Sequence, residues 1–98
     1  MSLSALSPAA RQTLQILSDQ WHLSLLLCLE EQPYRFNQLR QNLPQISPRA
    51  LSSKLKNLQQ AGYVMKRCPE DNKNFCEYSL SKKAEELKPV LEAMRGIV

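Results

Sequence analysis

Apolar residues recur along this chain at helical spacing, and past Gly62 the pattern shifts to the shorter period of strands. The clearest helix is Ile46–Gly62, ISPRALSSKLKNLQQAG. Its Leu51, Leu55 and Leu58 fall at i, i+4 and i+7, one narrow apolar stripe. Ser47 is a favoured N-cap, Pro48 suits a first helical turn, and Gly62 stands where a left-handed residue closes a helix. Upstream, Ser7-Pro8 opens a helix to about Leu17, with Leu14 and Leu17 on one side and Ala10 above them. Ser18-Asp19-Gln20 breaks it and offers N-cap candidates. Trp21–Gln32 is apolar nearly all round, which predicts the buried centre of the domain. Pro33 ends that helix. Tyr34-Arg35-Phe36 reads as extended, and Asn37–Leu43 as a short helix with Leu39 and Leu43 at i, i+4. Pro44-Gln45-Ile46 is the turn into the central helix. Short helix, tight turn and longer helix form a helix-turn-helix arrangement.

Downstream, Tyr63–Cys68 and Phe75–Leu80 read as strands around the polar turn PEDNKN, with Cys76, Tyr78 and Leu80 on one face. A hairpin directly after the central helix gives a mainly α fold with a small β-hairpin wing, a winged helix-turn-helix. Ser81 caps a last helix, Lys82 to about Arg95, which Pro89 is expected to interrupt and kink. Its apolar side is Ala84, Leu87, Val90, Leu91 and Met94, and Ile97-Val98 extend it past a glycine. That is more apolar surface than a small winged helix needs. Leu87, Val90, Leu91 and Met94 are therefore expected to form a homodimer interface, shared with the first helix. The alternative is that this side packs back on its own domain.

Length allows one domain, 1–98, with a modest core. Two glycines exclude a glycine-looped nucleotide binder. The longest apolar run, Leu25–Leu29, is far short of the roughly 20 residues of a membrane span. MSLSALSPAA has neither a basic n-region nor a long apolar h-region, and three irregularly spaced cysteines are not a secreted disulfide framework. The expected location is the cytoplasm, with no membrane partner.

Net charge is +4, and its distribution says more than its size. From Gln32 to Pro69 there are seven bases and no acid, whereas residues 1–31 hold one base and three acids and residues 70–98 five bases and six acids. A basic centre between near-neutral ends suits a polyanion. The side of the central helix opposite its leucines carries Arg49, Ser52, Ser53, Lys56, Asn57 and Gln60, again without an acid. Such a face has the chemistry for base edges in a DNA major groove, with Ser47 and Arg49 near the entering end. Arg35 and Arg40 before it, and Lys66, Arg67 and Lys73 on the hairpin, complete the expected contacts with double-stranded DNA. The bland reading is a solvated surface helix. A functional alternative is a winged helix used for protein contacts, which should instead expose aromatics or leucine.

Catalysis has little support: there is no nucleophile–base pair, no metal cluster and no phosphate loop, so no enzyme, metal or cofactor is expected. His22, the single histidine, reads as structural or exposed. Cys28 reads as a small buried hydrophobe. Cys68 and Cys76 lie near the hairpin tip. With residue 68 facing about residue 75 they come close, but adjacent-strand disulfides are geometrically awkward. The simpler reading is two ordinary strand cysteines; the other is a redox-active pair.

The chain resembles the HxlR-type winged-helix transcriptional regulators, relatives of the MarR group, over about Leu14–Met94. The residues that carry the resemblance are LQILSDQW, YRFNQLRQNLPQISPRALSSKLKNLQQAGYV and EYSLSKKAEELKPVLEAM. It implies a dimeric bacterial or archaeal repressor or activator. The helix at Ser47–Ala61 would enter the major groove, the hairpin would touch flanking backbone, and the terminal helices would build the dimer. It also leaves room for a small-molecule or redox effector. Three features depart from the family pattern. Many members sense oxidants through a cysteine just before the first helix, and residues 1–20 hold none. Ala84 stands where the family often has Gly, and the wing is rich in Asn rather than Pro.

Overall fold

Leu25 and Leu26 are fully removed from solvent and Leu29 nearly so, and the helix that carries them is the post around which the other elements pack. The structure, a computed structural model, describes residues 7–97; Val98 and the side chains of Lys73 and Ile97 lie outside the described residues. The order is α1 (Pro8–Leu17), α2 (Gln20–Glu31), β1 (Tyr34–Arg35), α3 (Phe36–Asn42), α4 (Pro48–Gln60), β2 (Val64–Arg67), β3 (Glu77–Leu80) and α5 (Lys88–Ile97). Short 3-10 turns occupy Lys73–Phe75 and Lys83–Leu87. The molecule is mostly helical, with one small antiparallel sheet. No helix among the described residues is long and apolar enough to cross a membrane.

Each of the first helices starts on the side chain its sequence offers. Ser7 Oγ accepts the Ala10 N–H at 3.1 Å, and Ser47 Oγ accepts the Ala50 N–H at 3.1 Å. The Asp19 carboxylate accepts the Trp21 and His22 N–H groups at 2.8 and 3.1 Å. The start of α3 is less regular. Arginine has no acceptor to offer at an N-cap, so only the return half of a capping box forms, Arg35 N–H to Gln38 Oε1 at 2.8 Å. At the end of α4, Gly62 has φ +88°, the Tyr63 N–H reaches the Leu58 carbonyl at 2.9 Å, and the Gly62 N–H reaches that of Gln59 at 3.0 Å. This is a Schellman closure, which turns the chain straight into β2.

Leucine dominates the core, joined by Ile46, Tyr63, Val64, Tyr78 and Ala84. Leu25, Leu26, Leu39, Leu51, Leu55, Leu58 and Leu91 are each buried to within 2%. Each contributes about 1.5–3 kcal/mol by burial. The stripe of α4 therefore faces α2 as its spacing requires. Trp21 is half-buried against this core. α1 is different: none of its residues is buried, and Leu14 is 45% exposed. It docks on α2 through half-buried Ile16 and Leu17, and Thr13 Oγ1 meets the Tyr63 hydroxyl at 2.9 Å.

Three expectations need correction. The wing is not a plain hairpin. The strand order is β1-β3-β2, with Tyr34 opposite Tyr78 and Arg35 opposite Glu77 on one side of β3, and Val64 opposite Leu80 through Arg67 opposite Glu77 on the other. Next, the interruption expected in the terminal helix is a change of helix type just before Pro89, not a kink at it. Pro89 lacks an N–H and its ring would clash with the carbonyl of Glu85, so the chain makes a 3-10 turn first, and Pro89 sits in the first turn of a separate α5. Ser81 opens that turn by accepting the Ala84 N–H at 3.3 Å, while its hydroxyl donates to the Gly62 carbonyl. Lastly, Leu87 (6% exposed) and Leu91 (0%) are core residues of their own domain and have no side chain left for a partner. Of the four residues expected at an interface, Val90 is exposed and Met94 half-exposed.

Candidate nucleic-acid interface

With Leu51, Leu55 and Leu58 facing inward, geometry at 100° per residue sends Arg49, Ser53, Lys56 and Gln60 outward, and all four are exposed. The two flanks of this face are not equivalent. Ser52 turns toward the wing and lines a cavity of about 530 Å³ with Arg35, Lys66 and Tyr78. Lys54 and Asn57 turn the other way, toward the start of α2. Lys54 Nζ pairs with Asp19 Oδ2 at 2.5 Å. Burial raises the Asp19 pKa, but the Lys54 ammonium and then the His22 and Trp21 N–H groups outweigh it, and the carboxyl stays below its usual value of 3.8.

His22 is buried, and it joins this contact. Its Nδ1 lies 3.2 Å from the Ile16 carbonyl, which can only accept, so Nδ1 carries the proton. Nε2 is then an acceptor, 3.4 Å from Asn57 Nδ2. Asn57 is exposed yet half-tethered, where the sequence suggested a side chain directed outward. Lys54, His22 and Asp19 thus hold α4 in rotation about its axis. The helical wheel gives the signal for Lys54, which falls beside the leucine stripe on the side away from Ser52. Nothing local marks Asp19 as its partner.

The remaining candidates extend the surface on both sides of α4. Arg40 is exposed on α3 and lines, with Ser47 and Pro48, an open groove of about 760 Å³ between α3 and the start of α4. The Ser47 oxygen accepts the cap N–H, and its hydroxyl hydrogen remains to donate. On the wing, Lys66 and Arg67 are exposed, with Lys66 Nζ 5.7 Å from the centre of the Tyr78 ring. Arg35 lies with its guanidinium 4.7 Å over the ring of Phe75. Phe75 was not among the sequence candidates. The expected contact of Lys73 falls on a side chain outside the described residues.

The two wing cysteines are not ordinary thiols. Cys68 and Cys76 are joined in a disulfide, S–S 1.99 Å, with their Cα atoms 4.1 Å apart. Arg67 pairs with Glu77, so 68 and 76 are the next opposed positions; the sequence estimate of the register was off by one residue. Cys28 is free and half-buried in α2. Among the described residues, no group of three or more His, Cys, Asp or Glu is placed to hold a metal ion.

The family model described as HxlR-like helix-turn-helix matches residues 16–98. An HTH-type transcriptional regulator of Halalkalibacterium halodurans is 35% identical over 83 residues, 84% of this chain and 74% of that one. The HTH-type transcriptional regulator YvaP of Bacillus subtilis is 32% identical over 91 residues, 93% of this chain and 84% of its own. Among solved structures, the redox regulator HypR in its reduced form superposes with a TM-score of 0.83 at 28% identity, over 92% of this chain and 88% of that one.

Proposed function

This chain belongs to the HxlR-like helix-turn-helix family of transcriptional regulators, and from that premise we propose that it binds specific DNA as a homodimer, in the cytoplasm, with α4 in the major groove and the wing along the flanking backbone. One observation carries the reading: the exposed face of α4 presents Arg49, Ser53, Lys56 and Gln60 with no acid and no apolar side chain. Bases are read by such donors, whereas a protein-docking helix needs an apolar centre. Arg49 stands on the first turn, the part of a recognition helix that reaches base edges first. Ser47, Ser52 and Asn57 are its lesser companions. Arg35, Arg40, Lys66, Arg67 and Lys73 supply phosphate contacts on either side.

The whole of 1–98 acts in this reading as a single winged-helix unit. The second copy docks on apolar residues of the terminal helices, the exposed Leu14 and Val90 and the half-exposed Met94. A small-molecule or redox effector fits the regulatory role. The alternative, a winged helix that docks an acidic protein, has support in two exposed wing side chains, Phe75 (47%) and Met65 (43%), but the Phe75 ring is already occupied by Arg35. Selection of bound sites from random DNA at stated salt decides between them. A DNA-binding dimer should return a site with two related halves, and a pool with no enriched sequence would favour the protein-contact reading.

A further inference from the structure

The disulfide sits just past the last ladder pair of β2 and β3 and closes the turn Pro69–Phe75. The residue beside it, Phe75, is 47% exposed, so burial does not fix its ring. That ring nevertheless holds the Arg35 guanidinium at 4.7 Å. The covalent bond at Cys76 adds to the hold on the chain next to Phe75, whose N–H also reaches the Asn72 carbonyl at 3.3 Å, and the bond at Cys68 braces the strand end next to Arg67, the last ladder residue. One S–S bond therefore braces the backbone beside two of the groups assigned to the DNA backbone, the Arg35–Phe75 stack and Arg67. Lys66 lies one ladder pair farther from the bond and over Tyr78.

We infer that Cys68 and Cys76 form a reversible redox modification site, exchanging with low-molecular-weight disulfides, whose closed form orders the wing and strengthens its grip on the DNA backbone. This rests on the DNA-binding reading of the same surface. Cys68 is exposed and opens on a cavity of about 420 Å³, large enough for a small disulfide. Arg35, Arg67, Glu70 and Glu77 line that cavity, two charges of each sign around the Cys68 sulfur. Cys76 is half-buried, which makes it the resolving thiol. Cys28 does not compete: burial first, and Glu31 next, push its thiol up. In the oxidising direction the Cys68 thiolate attacks one sulfur of a disulfide RSSR and expels RS⁻. The Cys76 thiolate then attacks the Cys68 sulfur of the mixed disulfide and expels the second RS⁻. Two cysteine protons pass to the two leaving thiolates, so two protein thiols are oxidised to one S–S bond while RSSR is reduced to two RSH.

The test uses the full chain equilibrated in mixtures of reduced and oxidised glutathione. Free thiols are counted by alkylation and mass, and DNA affinity is measured at one salt concentration. Wild type carries the test without any substitution. Cys68 and Cys76 should lose their alkylation together with no cross-linked dimer. Reduction should weaken binding to preferred and random DNA alike by roughly three- to tenfold, the cost of ordering one or two side chains on binding. Cys68→Ser should stay at the reduced level in every buffer, and Cys28→Ser should switch as wild type does. Equal affinity of the closed and open forms overturns the inference while leaving the DNA reading intact. A disulfide that forms between chains also overturns it. Absence of DNA binding in both forms overturns the DNA reading, and the inference with it.

Discussion

Arg49 and the wing pair Lys66 and Arg67 do different work, and substitution separates them. Arg49→Ala should lose roughly 1–3 kcal/mol on the preferred site and relax the preference at one position of each half-site. Lys66→Ala and Arg67→Ala should weaken specific and random DNA about equally, each lowering the salt slope by about one. A salt series on both DNAs checks this, and an unchanged sequence preference in Arg49→Ala would mean that α4 lies differently in the groove. Asn57→Ala should matter less than Arg49→Ala, since its amide already faces His22. The inward side of α4 was legible residue by residue, because Leu51, Leu55 and Leu58 report a local period and Gly62 a local backbone need. The tether of Asn57 was not. It depends on His22, 35 positions away in the chain, and no spacing rule reaches that far.

Among the elements, α2 depends on Asp19 both as its cap and as the anchor of Lys54 on α4. Asp19→Ala should cost about 1 kcal/mol for the cap alone. Because the native carboxyl lies below its ordinary value, its contribution is complete above about pH 4 and is lost as pH falls through the lower native pKa. Denaturant unfolding of wild type and Asp19→Ala should therefore give curves that differ at pH 7 and converge in acid; a constant gap down to the acid limit would contradict this. The existence and order of the helices were readable, since caps and prolines act locally. The extended backbone at Tyr34-Arg35 was readable as well, but not its place in the sheet, because a two-residue strand carries no period and its partner Tyr78 is far along the chain. Nor was the role of the last helix. A wheel shows that Leu87 and Leu91 share an apolar side, but not whether their own core or a second copy covers it.

For the whole molecule, Leu14 of α1 and Val90 of α5 are large apolar side chains that the domain leaves exposed, and Met94 of α5 is half-exposed. Val90→Glu combined with Met94→Glu should lower the mass found by light scattering while leaving the helical content unchanged. Leu87→Glu should instead unfold the domain, since it buries a charge beside Leu91. A wild type that stays monomeric at every concentration measured would refute the dimer. α5 is held in its place by Arg95, which reaches Glu30 at 2.8 Å, Glu31 at 3.2 Å and the Leu27 carbonyl at the end of α2. The strand order β1-β3-β2 has one more consequence, for solubility. β2 is an outer strand, and such an edge is a template on which further copies can stack into aggregates. It is only four residues long and ends in Lys66 and Arg67, whose like charges repel the same edge of another molecule. The residues proposed to grip DNA are then also gatekeepers of the sheet. Lys66→Thr with Arg67→Thr should leave the fold intact yet turn concentrated solutions turbid on warming, and DNA, by covering that edge with its own charge, should slow the clouding of wild type.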